Sequence, residues 1–288
     1  MKKSVKWMMA AAVCAAGAVL LTYRFTGNRE AEAENTPDQN VEKAAEEENE
    51  RQEVQEDIQE IREKDEETSE TVSAGDIRQM AAETVLTEEQ IASVGEDSLF
   101  YQEEISDVIF ERMYGKSFKG DCTVPREELR YVRVLHNGFD GEAHIGELVV
   151  NQAIADDVTS IFRELYQSGY PIEKIRLIDD YDADDEQSMA DNNSSAFNFR
   201  FISHSTTLSN HARGMAVDIN PKYNPYVKIV NGKENCEPAN AREYADRTAE
   251  FLYKIDTGDL CYQVFTKYGF SWGGSWTSAK DYQHFEKA

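Results

Sequence analysis

Apolar positions fall into three regimes along the chain, and each predicts a different kind of structure. From Trp7 to Tyr23 the run is uncharged over 17 residues and has no polar face, with Lys2, Lys3, Lys6 and Arg24 around it. Its length is at the short limit for a helix that crosses a bilayer. Between Glu30 and Asp76 apolar residues are sparse. Val54, Ile58 and Ile61, at i, i+4 and i+7, support no more than a short solvated helix or a weak coiled-coil contact. From about Asp97 a globular pattern begins. Leu99, Ile105, Val108, Ile109 and Met113 form an approximately helical stripe that Gly115 ends. Val132 and Val134, then Ile145 and Leu148 to Val150, predict short strands on either side of the turn-like stretch from Asn137 to Gly141. Ile154, Val158, Ile161, Phe162 and Leu165 recur at helical spacing as far as Gly169 and Pro171. Ile172 to Ile178 leads into a buried strand, and Ala245 to Leu252 predicts part of another helix. Helices and strands mix without regular alternation, so the fold class is α+β rather than a doubly wound parallel sheet.

Charge sharpens this division. The 288 residues carry 55 acids against 30 bases, a formal net charge of -25, with 40% hydrophobic residues. Such a chain has no basic surface with which to displace counterions from phosphates, so no nucleic-acid partner is expected. From Glu30 to Asp76 there are 19 acids and 4 bases, a contribution of -15 (4 minus 19). That stretch buries too little apolar surface to offset its ordering entropy and is kept extended by self-repulsion. The expected organisation is an N-terminal membrane anchor or signal segment at 1–29, an acidic linker that is largely disordered or helical at 30–96, and a folded domain at 97–288. Lysines ahead of the apolar run place the N-terminus in the cytoplasm and the domain outside it, as a single-pass membrane protein or, after signal cleavage, a secreted one. The cysteines have no CxxC spacing. Cys122, Cys236 and Cys261 allow one internal disulfide, with Cys236–Cys261 the expected pair, or three free thiols in a reducing habitat.

The chemistry gathers in two segments. In the first, Ser209 to Pro221, residues alternate from Met215, so that Asp218 becomes an acid inside an apolar strand. A carboxylate there requires pairing or a metal. His211 precedes it, and Gly214 between them permits a tight backbone path that brings imidazole to carboxylate. In the second, Asp281 lies three residues before His284, after Trp272-Gly273-Gly274-Ser275-Trp276. A hydrolytic zinc site needs three protein ligands, an open position for water and a nearby base. His211, Asp218, His284 and Asp281 supply that set, and two imidazoles favour zinc over calcium or magnesium. Trp272, Trp276 and Tyr282 are expected to line the groove and Ser209 to hydrogen-bond substrate or loop. His136 and His144 are expected to be structural, and His204 lies near enough to the motif to touch substrate.

Ser-x-His-x-x-Gly-x-Ala-x-Asp at Ser209 to Asp218, joined to Asp-x-x-His at Asp281 to His284, resembles the D-alanyl-D-alanine carboxypeptidase family of zinc peptidases. The resemblance runs from about Val132 to Glu286 and includes Gly146 to Asn151, Phe197 to Arg200 and Trp272 to Gly274. It implies a small antiparallel sheet flanked by helices, Hedgehog-like, with a zinc groove. It further implies that His211, Asp218 and His284 hold the ion, that Asp281 is the general base, and that an arginine stabilises the oxyanion, with Arg200 the candidate ahead of Arg213, which lies inside the ligand loop. The implied substrates are peptidoglycan stem peptides, cut as a carboxypeptidase that removes terminal D-alanine or as an L-alanyl-D-glutamate endopeptidase. A non-catalytic binding module on the same scaffold is the other class.

Overall fold

A computed structural model of the protein describes residues 73–202 and 205–287. Its first half runs α1 (Ala74–Gln79), β1 (Val85–Leu86), α2 (Glu88–Val94), β2 (Tyr101–Glu104), α3 (Asp107–Met113), β3 (Leu129–Asn137), β4 (Ala143–Asn151) and α4 (Ala155–Gln167). The second half runs β5 (Lys174–Ile175), α5 (Asp185–Ala190), β6 (Asn193–Ser194), β7 (Ala216–Asp218), β8 (Tyr226–Val230), β9 (Lys233–Glu237), α6 (Leu260–Lys267), β10 (Ser271–Trp272), β11 (Lys280–Asp281) and β12 (His284–Glu286). Mixed helices and small sheets, antiparallel except for the β5–β6 pair, make the α+β architecture.

The predicted strands around Asn137 to Gly141 are β3 and β4, paired from Leu129↔Asn151 to Asn137↔Ala143 in a sheet of order β1-β4-β3-β2. Both faces of this hairpin are covered, because alternate residues enter different cores. Val132, Val134, Leu148 and Val150 meet α4, whose buried face is Val158, Ile161, Phe162 and Leu165. Leu129, Tyr131 and Val149 pack with Ile109 and Met113 of α3 and with Phe197, Phe199 and Ala212. The first core continues through Phe265 of α6, stacked on Phe285 of β12 with centroids 4.2 Å apart, to Val217 of β7. The strands that carry the chemistry are thereby anchored to the long hairpin.

Two expectations need correction. Among the described residues the folded part already begins at Ser73, ahead of the expected 97. Capping boxes at Ser73 and Thr87 start α1 and α2, and Ile77, Leu86 and Ile91 complete the first core. Residues 245 to 252 form no helix. Arg247 enters that stretch and donates to the carbonyls of Tyr223, Tyr244 and Ile255, so its backbone follows the guanidinium instead; the helix is α6, capped by Asp259. Of the two alternatives for the cysteines, the structure has the second: Cys122, Cys236 and Cys261 are free, Cys236 on β9 and Cys261 sealed in the core on α6. Among the described residues no helix is long and apolar enough to cross a membrane. The Trp7 to Tyr23 segment and the linker as far as residue 72 lie outside the described residues.

Candidate metal centre

The first motif folds into a locked turn. Ser209 Oγ accepts the His211 amide at 3.2 Å and caps the single 3-10 turn Asn210–Arg213. Gly214 then takes φ +68°, and a Cβ on it would stand 2.6 Å from the Asn151 nitrogen. Only glycine meets both demands. The Asn151 amide donates to the Gly214 carbonyl at 2.8 Å, fixing the turn to the end of β4. The chain enters β7, which pairs antiparallel with β12 so that Asp218 faces His284 directly across the ladder.

Three side chains converge here. His211 Nε2 lies 3.0 Å from His284 Nδ1, and each nitrogen lies 3.1 Å from an oxygen of Asp218. A tetrahedral zinc ion with bonds of about 2.0–2.1 Å separates its ligand atoms by about 3.3 Å, so this buried triangle fits the ion. The outer hydrogen bonds fix the tautomers. His211 Nδ1 donates to the Ala196 carbonyl at 2.6 Å, and His284 Nε2 donates to Glu286 Oε2 at 3.1 Å. Both remaining ring nitrogens then offer lone pairs to the point where Asp218 offers its own. Only a proton or a metal cation reconciles three converging lone pairs. Burial opposes charge on Asp218, but the two imidazoles hold its carboxyl well below the usual range. Burial likewise opposes charge on His284, yet hydrogen bonds to Asp218 and Glu286 push it up to about 10. His211, Asp218 and His284 are the group with metal-binding geometry among the described residues.

Asp281 comes from a different small sheet, paired through β11 to Tyr226 of β8. Gly273 lets it approach: a Cβ there would be 2.7 Å from the Asp281 carbonyl oxygen. Its Oδ1 is buried with no hydrogen-bond partner, and burial pushes the carboxyl up to about 7. Arg200 is paired with Asp185. Burial opposes its charge, but Asp185, with Asp218 and Asp281 farther off, keeps it firmly protonated. His211, Asp218, His284, Asp281 and Arg200 all line one cleft of about 840 Å³.

The predicted substrate contacts divide. Ser209 lines the cleft, but its hydroxyl is engaged in capping the His211 turn. Trp272 and Tyr282 do not line it. Trp272 is in the core, edge-on to Tyr262, with its indole N–H donated to the Tyr282 carbonyl; Tyr282 lies under Arg247, 4.3 Å from ring centre to guanidinium. Trp276 occupies the place expected of them, its ring centroid 5.2 Å from that of His284. His136 is buried on the Ile172 carbonyl and His144 is held by Asp140. His204 lies outside the described residues. The sequence reading missed Glu286 and Asn210, which bonds Glu286 Oε2 at 2.5 Å. Their signal was faint: both sit beside motif residues, and only strand pairing brings them together.

A buried His-Asp-His cluster beside an isolated carboxyl group, within one cleft, is a layout suited to metal-assisted hydrolysis. Residues 203–287 match the family model described as D-alanyl-D-alanine carboxypeptidase. The match covers both motifs; Arg200 and the stretch from Val132 to Phe199 lie ahead of it. No curated protein and no solved structure matches the chain significantly.

Proposed function

We propose that the protein is a zinc-dependent peptidase of peptidoglycan stem peptides, acting as a D-alanyl-D-alanine-type carboxypeptidase. The observation that carries this reading is the tautomer-fixed triangle of His211, Asp218 and His284 with Asp281 in the same cleft. His211, Asp218 and His284 would hold a zinc ion, which would supply Lewis acidity toward the scissile carbonyl and the attacking water. Asp281 takes the proton of the attacking water and returns it to the leaving amine. A carboxyl pushed up to about 7 serves both directions near neutrality. Arg200 balances the negative charge that develops on the carbonyl oxygen; its five N–H donors exceed the acceptors that Asp185 and the Phe201 carbonyl provide. Packing of the carbon skeleton against Trp276 orients the peptide.

An L-alanyl-D-glutamate endopeptidase is the second reading, favoured by a cleft of about 840 Å³, more than one terminal D-alanine fills. The uncharged run at Trp7 to Tyr23 supports an extracytoplasmic domain tethered by a single membrane pass, or released by signal cleavage. Mass spectrometry of muropeptides incubated with the protein, with and without a chelator, tests the reading. Chelator-sensitive loss of one terminal alanine is expected. Release of the stem after its first alanine selects the endopeptidase, and no cleavage by folded, zinc-loaded protein moves the weight to a binding module.

A further inference from the structure

Acids dominate the titratable side chains that line the cleft, and the lining has two guanidinium groups among the described residues, Arg200 and Arg213. They differ in how much of their charge is available. Arg200 is ion-paired with Asp185. Arg213 is exposed at the end of the His211 turn, and among the described residues no carboxylate lies within ion-pair distance of it. Its Nη1 donates to Asn210 Oδ1 at 3.1 Å, while Nε and Nη2 have no hydrogen-bond partner among those residues. Asn210 donates in turn to Glu286, which accepts from His284. Three hydrogen bonds thus connect Arg213 to a metal ligand, and the first of them restrains its guanidinium. Glu286, the nearest acid in this relay, is engaged by two donors and leaves Arg213 its charge.

We propose that Arg213 binds the C-terminal carboxylate of the peptide and so selects substrates that end one residue beyond the scissile bond. The assignment rests on the peptidase reading above. A carboxylate entering an acid-rich cleft is repelled from most of its wall, and a guanidinium with free N–H groups receives it in a two-pronged geometry. The substrates of an endopeptidase continue past the cut and present no chain-terminal carboxylate one residue beyond it. The cation therefore bears on the choice between the two cleavage modes.

The test uses the full-length, zinc-loaded protein and paired stem peptides ending in D-alanyl-D-alanine, one as the free acid and one C-terminally amidated. The wild type is expected to prefer the free acid. In Arg213→Gln, the ratio of kcat/KM for acid over amide should fall by about 10- to 100-fold, the range of a hydrogen bond to a charged group. Arg213→Lys should keep an intermediate ratio, since it retains charge but loses the fork. Zinc content and the unfolding temperature of each variant separate loss of recognition from loss of fold; if Arg213→Gln fails to fold, Arg213→Lys and the wild-type pair decide the matter. Equal cleavage of acid and amide by the wild type, or an unchanged ratio in folded variants, overturns the assignment of Arg213 and leaves the peptidase reading standing. Zinc-loaded wild type that cleaves neither peptide overturns the carboxypeptidase reading itself.

Discussion

The β3–β4 hairpin and the strands of the metal centre are built on opposite principles. Each hairpin strand has nine residues, with apolar side chains entering cores on both faces. The chemistry rests on β7, β11 and β12, of two or three residues each. Strands so short have little pairing of their own and are held by what surrounds them: the Gly214–Asn151 bond, the Ser195–Asp218 bridge and the stack of Phe285 on Phe265. Stability is concentrated in the hairpin and precision in the short strands. Substitutions should therefore separate folding from metal binding and catalysis.

The largest separation is expected at the base. Asp281→Asn should retain zinc stoichiometry and unfolding temperature while turnover falls by about 10²- to 10⁴-fold, measurable on any cleaved stem peptide. Wild-type turnover in that variant would remove Asp281 from the mechanism. In the hairpin core, Phe162→Ala should destabilise the fold by about 3–5 kcal/mol in denaturant titration. A loss well below that range would mean that α4 is not the principal cover of the hairpin. Glu286→Gln cannot accept from His284 as a carboxylate does, so zinc affinity by chelator competition should weaken by about 10- to 100-fold with little change in fold. Unchanged affinity would make Glu286 a bystander.

The smallest effect is the response to pH. His284, pushed up to about 10, carries a proton at neutrality that a metal must displace, whereas Asp218 is already ionised. Zinc affinity should therefore rise with pH by about tenfold per unit for each proton displaced while the pH stays below about 10, and fall by the same factor on acidification. Calorimetry in buffers of different ionisation enthalpy should show about one proton released per zinc at pH 7. Release of none would place the proton elsewhere in the cluster.

What the sequence made legible follows the same division. Val132 to Val150 gave the hairpin away because long stretches of apolar positions set a clear pattern. The candidate ligands stood out for another reason: two imidazoles and two carboxyl groups at fixed local spacing are hard to explain as isolated surface or core residues. Between these extremes the reading failed where tertiary contacts decide. Ile77, Leu86 and Ile91 are too sparse within an acid-rich stretch to announce a folded segment, and only their burial against the sheet shows that 73–96 belongs to it. Arg247 overrode the helical pattern of 245 to 252 with bonds to the carbonyls of Tyr223, Tyr244 and Ile255. Trp272 and Trp276 are four residues apart and equivalent in sequence, yet the indole N–H of one is used inside the core while the other faces the cleft. The partnership of Asn210 with Glu286 needs the β7–β12 register, which no local spacing encodes.

That register has an evolutionary corollary. The chain leaves the candidate metal site at Asp218 and returns to it at His284, and the ladder between β7 and β12 closes the excursion like a clasp. Within the excursion lies the β8–β9 hairpin, whose Asn235 and Cys236 line the cleft. Lengthening or exchanging this hairpin leaves the clasp in register as long as β11 keeps its partner strand. The lining of the cleft can therefore change there while the group of His211, Asp218 and His284 stays as it is. A one-residue slip in the clasp has the opposite character: it sets Phe285 opposite Asp218 and dismantles the centre in a single step.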